Sequence, residues 1–219
     1  MRLPRVRSSR LVWAAGVLLA VSATAAMGEI VEGDAVSQHG HHATSYRWRV
    51  ESCNGRMRSE WRTAAGQMIA WDEVEFADGR FLRYRLVRPN LGQDMTLQGG
   101  GKVTLAGPML IEYARRHLAL LRGGRELRVR YLVAERGSTV ELRMRARQGT
   151  RERTEILVDA ASGLIRPFVP AASLEFDAAE RFVGMQGQIL PQLGSRTRPE
   201  PVAAQVRVLS QGLTSACHI

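Results

Sequence analysis

From Tyr46 onward, apolar and polar residues alternate. Tyr46, Trp48 and Val50 share one face of an extended chain, and Arg47, Arg49 and Glu51 share the other. Asn54-Gly55 follows, a pair suited to a two-residue hairpin turn because both turn positions need positive φ. The resulting register sets Trp48 opposite Trp61, Val50 opposite Ser59, Arg49 opposite Glu60 and Glu51 opposite Arg58. One aromatic pair and two opposite-charge pairs support it; only Arg47 opposite Arg62 is unfavourable. A second hairpin is predicted over 68–88 around Asp78-Gly79. A plain two-residue loop puts Glu73 and Glu75 on the face of Leu82 and Tyr84. A three-residue loop with a glycine bulge instead sets Val74 against Leu82 and Glu73 against Arg83, and is expected. The second strand ends near Arg88-Pro89-Asn90, a turn signal.

The period then changes. Leu110, Tyr113, Ala114, His117, Leu118 and Leu121 form an apolar stripe at helical spacing. Pro108 suits the first helical position and Gly123-Gly124 the end, so one helix is predicted over about 108–122. Alternation resumes at Leu127–Val133 and Val140–Arg147. A further pair is expected at Thr154–Val158 and Leu164–Phe168, with Pro167 and Pro170 marking the second member as an edge. Later strands are predicted at Leu174–Phe176, Phe182–Ile189 and Val202–Leu209, with 191–201 as a loop. Residues 29–44 lack periodicity and read as a flexible leader; 211–219 read as a tail. Residues 45–210 then form a single β-rich domain.

About eight to ten short strands with one helix define a mainly β (α+β) fold. One helix does not cover both faces of so large a sheet. The expected arrangement is a strongly curved antiparallel sheet holding the helix in its concave face. A closed or sandwich-like β fold with the helix outside is the alternative.

The N-terminus has its own pattern. Arg2, Arg5, Arg7 and Arg10 precede an apolar run, Leu11–Val21, and then small residues. Ala23-Thr24-Ala25 and Ala26-Met27-Gly28 both fit a cleavage site. Residues 1 to 28 are therefore expected to be a secretory signal peptide and the mature chain to be periplasmic, with secretion as the alternative. No later run is long and apolar enough to span a bilayer as a helix. Losing four arginines leaves 27 basic and 21 acidic residues, net +6. An exported chain is not expected to meet nucleic acid. Cys53 and Cys217 are the only cysteines, and an oxidising compartment suits a disulfide between them. Two free thiols too far apart to join are the alternative.

Catalytic signatures are missing: there is no Gly-x-Ser-x-Gly, Ser-x-x-Lys or His-Glu-x-x-His. Gly99-Gly100-Gly101-Lys102 lacks phosphate-loop spacing. His39, His41 and His42 sit in the expected leader without further ligands nearby, so no metal site is expected. Asp72, Glu73 and Glu75 form an acidic run, of which two have arginine partners in the predicted hairpin; ordinary charge pairing is expected. One feature stands out. Arg128, Arg130, Arg143 and Arg145 fall on one face of two adjacent predicted strands. Like charges across a ladder are unfavourable, and an anionic partner is one thing that offsets them.

The series of hairpins, the turn Val158-Asp159-Ala160-Ala161-Ser162-Gly163-Leu164 and the return strands resemble exported bacterial proteins with a half-open barrel. The lipoprotein carriers of the Gram-negative periplasm, which shield lipid chains between a curved sheet and helices, are the best-known members. The segment Trp61–Pro191, about two thirds of the chain, is similar to uncharacterised exported proteobacterial β-rich proteins. The resemblance implies a half-barrel and carries over no catalytic or binding residue.

The function expected is that of a non-catalytic periplasmic protein binding an apolar or anionic envelope ligand, a lipid or glycolipid, without a cofactor. The alternatives are a structural or protein-interaction module pairing through an open sheet edge, and an enzyme of an unrecognised class.

Overall fold

The computed structural model describes residues 28–39, 42–99, 104–147, 152–166, 169–214, 217 and 219. The expected signal segment up to Met27, and His41, Lys102 and Arg151, lie outside the described residues.

Among the described residues, twelve strands form one antiparallel sheet. In chain order they are β1 (Gly28–His39), β2 (His42–Cys53), β3 (Arg56–Thr63), β4 (Met68–Ala77), β5 (Arg80–Arg88) and β6 (Gln93–Gln98). Two short helices follow, α1 (Met109–Arg116) and α2 (Leu118–Arg122). The chain continues with β7 (Leu127–Val133), β8 (Ser138–Arg147), β9 (Arg153–Ala160), β10 (Ala172–Asp177), β11 (Phe182–Ser195) and β12 (Arg198–Thr214). The spatial order is β6-β5-β4-β3-β2-β1-β12-β11-β10-β9-β8-β7. The chain thus walks from the middle of the sheet to one edge, crosses over through the helices, and walks back from the other edge. Strand β12 closes the path by pairing with β1 from Gly28↔Thr214 to Ser37↔Ala204.

Among the described residues no ladder joins the two edge strands, so the curved sheet is unclosed. The crossover bridges the gap. Phe81 of β5 donates its N–H to Thr104 at 3.0 Å, and Leu105 exchanges hydrogen bonds with Arg130 and Leu132 of β7 at 2.8 and 2.9 Å. From there the helices enter the concave side. Ala114, Leu118 and Leu121 are fully buried against Trp48, Trp61, Val74, Leu86, Met144, Ile156 and Phe176. Each buried leucine contributes about 1.5–3 kcal/mol relative to exposure. Trp48 stacks at a tilt on Trp61 (6.0 Å between centroids) and meets Phe182 edge-on at 5.9 Å.

The β2–β3 register is the one the sequence predicts, including Trp48↔Trp61 and the unfavourable Arg47↔Arg62. The fold class stands as well, with twelve strands rather than eight to ten. Other expectations need correction. Residues 29–44 are no leader: β1 lies at the centre of the sheet, between β12 and β2. Its inner face is Val31, Gly33, Ala35 and Ser37, small residues whose weak hydropathy hides the alternation. A Cβ on Gly33 would meet the Arg207 carbonyl at 2.6 Å, so the close pairing there requires glycine.

The β4–β5 turn is the two-residue kind, with φ of 51° at Asp78 and 73° at Gly79. The extra residue sits in the strand instead: the register slips between Glu75 and Phe76, giving Val74↔Tyr84 and Glu73↔Arg85. Leu82 is displaced outward by the slip and is exposed. The predicted single helix is interrupted at His117, where φ −110° and ψ 13° leave the helical range. Its Nδ1 faces the Tyr113 carbonyl at 2.9 Å, and its ring stacks on that of Tyr113.

β9 pairs with β10 and β8, not with 164–166; residues 167 and 168 of the expected strand lie outside the described residues. Residues 164–166 lie in turns. The proposed loop 191–201 is instead a hairpin extension of β11 and β12, reached through a register break between Gln188 and Gln192. Before Ala204, β12 outruns its pairing with β1; on such an edge Pro199 and Pro201 are tolerated. Strand β12 also takes in 211–214 of the expected tail. β6 is a strand that the sequence did not announce.

Candidate anion-binding surface

Two surfaces are available to a ligand, the concave interior and the outer face. On the concave side the described residues pack into one apolar cluster. The cleft between α1 and the sheet, lined by Val31, Trp48, Val50, Met57, Ile111 and Phe182, measures about 40 Å³. That is room for about one water, far below the 300 Å³ or more of ordinary ligand pockets.

The interior also holds one carboxylate of the acidic run for which ordinary charge pairing is expected. Asp72 lies on the inner face of β4, between Ala70 and Val74, and is buried. Ser59 donates to its Oδ1 at 2.6 Å and Tyr84 to its Oδ2 at 2.8 Å. Burial pushes its pKa up to about 6, against the opposing effect of these two hydroxyls and of Arg88. Gly107, with φ +49°, packs against Oδ2, where a Cβ would come within 2.3 Å. The alternation Ala70, Asp72, Val74 was the signal that placed it inside. The other two carboxylates of the run do pair with arginines, but with those of β3 rather than of the predicted hairpin: Glu73 lies 3.6 Å from Arg58, and Glu75 lies 3.2 Å from Arg56.

On the outer face the structure brings the four singled-out arginines together. Arg128 stands opposite Arg143, and Arg130 opposite Glu141, in the β7–β8 ladder. The like charges are interleaved with carboxylates. Arg143 grips Asp159 through two bonds, at 2.8 and 2.7 Å, the strong fork geometry of guanidinium on carboxylate. Arg145 lies 3.6 Å from the same carboxylate. Arg128 lies 3.3 Å from Glu126 and 3.9 Å from Glu141. The bond from Arg143 holds the Asp159 carboxyl below its usual range, with Arg145 and Arg166 adding to the effect. Five guanidiniums, Arg128, Arg130, Arg143, Arg145 and Arg166, therefore gather around three carboxylates, Glu126, Glu141 and Asp159.

Arg145 also ends a row that crosses the sheet. Val36 of β1 pairs with Gln205 of β12, Gln205 with Gln186 of β11, Gln186 with Ser173 of β10, Ser173 with Leu157 of β9, and Leu157 with Arg145 of β8. Direct partners in an antiparallel ladder share a face. From Val36 to Leu157 the row floors a trough of about 660 Å³, walled by Arg147, Glu155, Ala171 and Ala172 among others, and Arg145 stands next in the row. Arg147 and Glu155 approach to 3.8 Å. Sequence reasoning missed the trough because glutamine, serine and alanine give no periodic signal, and because it needed the order of six strands.

The predicted cysteine pair is present. Cys53, at the end of β2, is joined to Cys217 across a sequence separation of 164 residues, with their Cα atoms 6.1 Å apart. Among the described residues, no helix is long and apolar enough to cross a membrane.

No family model matches this chain, and no curated protein matches its sequence. Among solved structures, it is similar to a beta-barrel-like protein of a domain of unknown function (DUF1849) from Brucella abortus. That likeness has 8% identity over 86% of this chain and 98% of the other, with a TM-score of 0.46. It is also similar to a domain from Vibrio parahaemolyticus ascribed to outer membrane lipoprotein sorting, at 6% identity, 87% of each chain and a TM-score of 0.33.

Proposed function

We propose that this chain is a non-catalytic, exported envelope protein that binds the anionic head group of a lipid or glycolipid along its outer trough. The observation that carries this reading is the cross-strand row from Val36 to Leu157, an uncharged floor whose next member, Arg145, belongs to a cluster rich in guanidiniums. Arginine suits phosphate and carboxylate, because its planar fork gives paired bonds. The small apolar residues of the trough accommodate the part of the ligand nearest the head group. The small cleft between α1 and the sheet argues against carriage of whole lipid chains there. Export is supported by the basic, apolar and small-residue order of the N-terminal sequence and by the Cys53–Cys217 bridge, which suits an oxidising compartment. The non-catalytic reading is supported by the setting of Asp72: its two oxygens are taken up by Ser59 and Tyr84 inside a packed core.

Isothermal titration with dihexanoyl phosphatidylglycerol, below its micellar concentration, tests the site. Saturable binding is expected, with none to dihexanoyl phosphatidylcholine. Arg145→Glu combined with Arg147→Glu should weaken it about tenfold or more. Equal binding of the two lipids, or no effect of the double variant, rejects the reading.

A further inference from the structure

The connection between β9 and β10 leaves the sheet at the arginine end of the trough. Ala161 donates its N–H to the Glu141 carbonyl at 2.9 Å, which anchors the start of the connection to β8. Ile165 donates back to Ser162 at 3.3 Å, closing a turn that presents Leu164. Leu164 is 87% exposed, more than any other large apolar residue among those described. Arg166, two residues on, is exposed and close enough to Asp159 to lower its pKa. The returning end, Ala171 and Ala172, walls the trough. An apolar tip thus stands next to a cluster of guanidiniums that outnumber their carboxylates.

We infer that this surface docks on an anionic lipid bilayer, with Leu164 entering the interfacial region and Arg166, Arg145 and Arg128 facing the lipid phosphates. A scattered exposed leucine is ordinary on a protein surface. Its position here is not scattered, because it shares one end of the sheet with the excess positive charge. Shallow apolar insertion and attraction to anionic lipid reinforce each other in peripheral binding. The long arginine stems also lie well in an interface, where the apolar part is buried and the guanidinium stays hydrated. The inference deepens the proposed function and rests on it: a protein seated this way has the open end of its trough at the level of the head groups from which its ligand comes.

The test is co-sedimentation of the full mature chain with large vesicles, either phosphatidylcholine alone or a three-to-one mixture of phosphatidylcholine and phosphatidylglycerol. The chain should pellet with the mixed vesicles only, and less so as salt is raised. Leu164→Asp should weaken pelleting about tenfold, and Arg166→Glu severalfold. Leu82→Asp, an exposed apolar position on the β5 half of the sheet, should change nothing. Circular dichroism checks that each variant folds. Failure to pellet with the mixed vesicles, or equal losses for Leu164→Asp and Leu82→Asp, overturns docking. If dihexanoyl phosphatidylglycerol still binds in that case, the trough stands as the site and only the bilayer contact falls.

Discussion

Tyr84 donates its hydroxyl to the Asp72 carboxylate at 2.8 Å inside the curved sheet, with Ser59 on the other oxygen. A carboxyl in this setting is more easily protonated than in the unfolded chain, where its pKa is near 3.8 rather than about 6. The folded state therefore holds a proton that the unfolded state gives up between those values. The resulting stability is fully present below about pH 3.8, and is lost as pH rises through about 6. The loss is on the order of 2–3 kcal/mol at neutral pH. Asp72→Asn should remove this contribution to the pH dependence, and at pH 7 should be no less stable than the parent. Thermal melts of both proteins from pH 4 to pH 8 check it. A parent that gains stability from pH 4 to 6 relative to the variant contradicts the assignment.

Arg88 ties the two halves of the sheet together. It is 2% exposed and donates to Gln93 beside it, to Glu135 beyond β7 at 2.6 Å, and to the Leu190 carbonyl of β11 at 2.9 Å. Arg88→Met should cost roughly 2–4 kcal/mol, because it leaves a buried carbonyl and a carboxylate without their donor. Glu135→Gln should cost less than about 1 kcal/mol, since Glu135 is partly solvated. Urea unfolding gives both values, and the reverse order would show that the carboxylate, not the cation, holds the gap.

The bridge between Cys53 and Cys217 closes most of the chain into one loop. Loop-closure entropy sets its contribution at up to about 5 kcal/mol. Replacing both cysteines by serine should lower the melting temperature by roughly 5–15 °C. Mass spectrometry after alkylation without reductant should find no labelled thiol in folded protein.

The legible parts of this fold were those governed by neighbours in the chain. Asn54-Gly55 and the charge pairs around it determined the β2–β3 register outright. The apolar stripe from Leu110 to Leu121 announced the element that fills the concave face, though not its break at His117. What remained hidden depends on distant partners. β1 looks like a polar leader because its buried face is built from Gly33, Ala35 and Ser37, and only pairing with β2 and β12 makes it the centre of the sheet. Local pattern around Asp78-Gly79 predicts the extra residue in the turn, whereas packing puts it at Leu82. The four arginines were visible in the sequence. Asp159 and Arg166, which complete their cluster, belong to a strand end and a turn that local spacing did not connect to them.

The meeting of β1 and β12 also sets the order of assembly. A chain emerging from its N-terminus can zip β1 to β6 by short hairpins, and β7 to β12 in the same way. The ladder from Gly28↔Thr214 to Ser37↔Ala204 joins the halves only after the last strand has emerged. Until then, each half presents an unpaired edge of long, β-prone sequence, a hazard for association with other chains. Contacts so distant in sequence make folding slow. The central ladder thus has to wait for β12, and the chain depends on staying unaggregated until β1 and β12 meet.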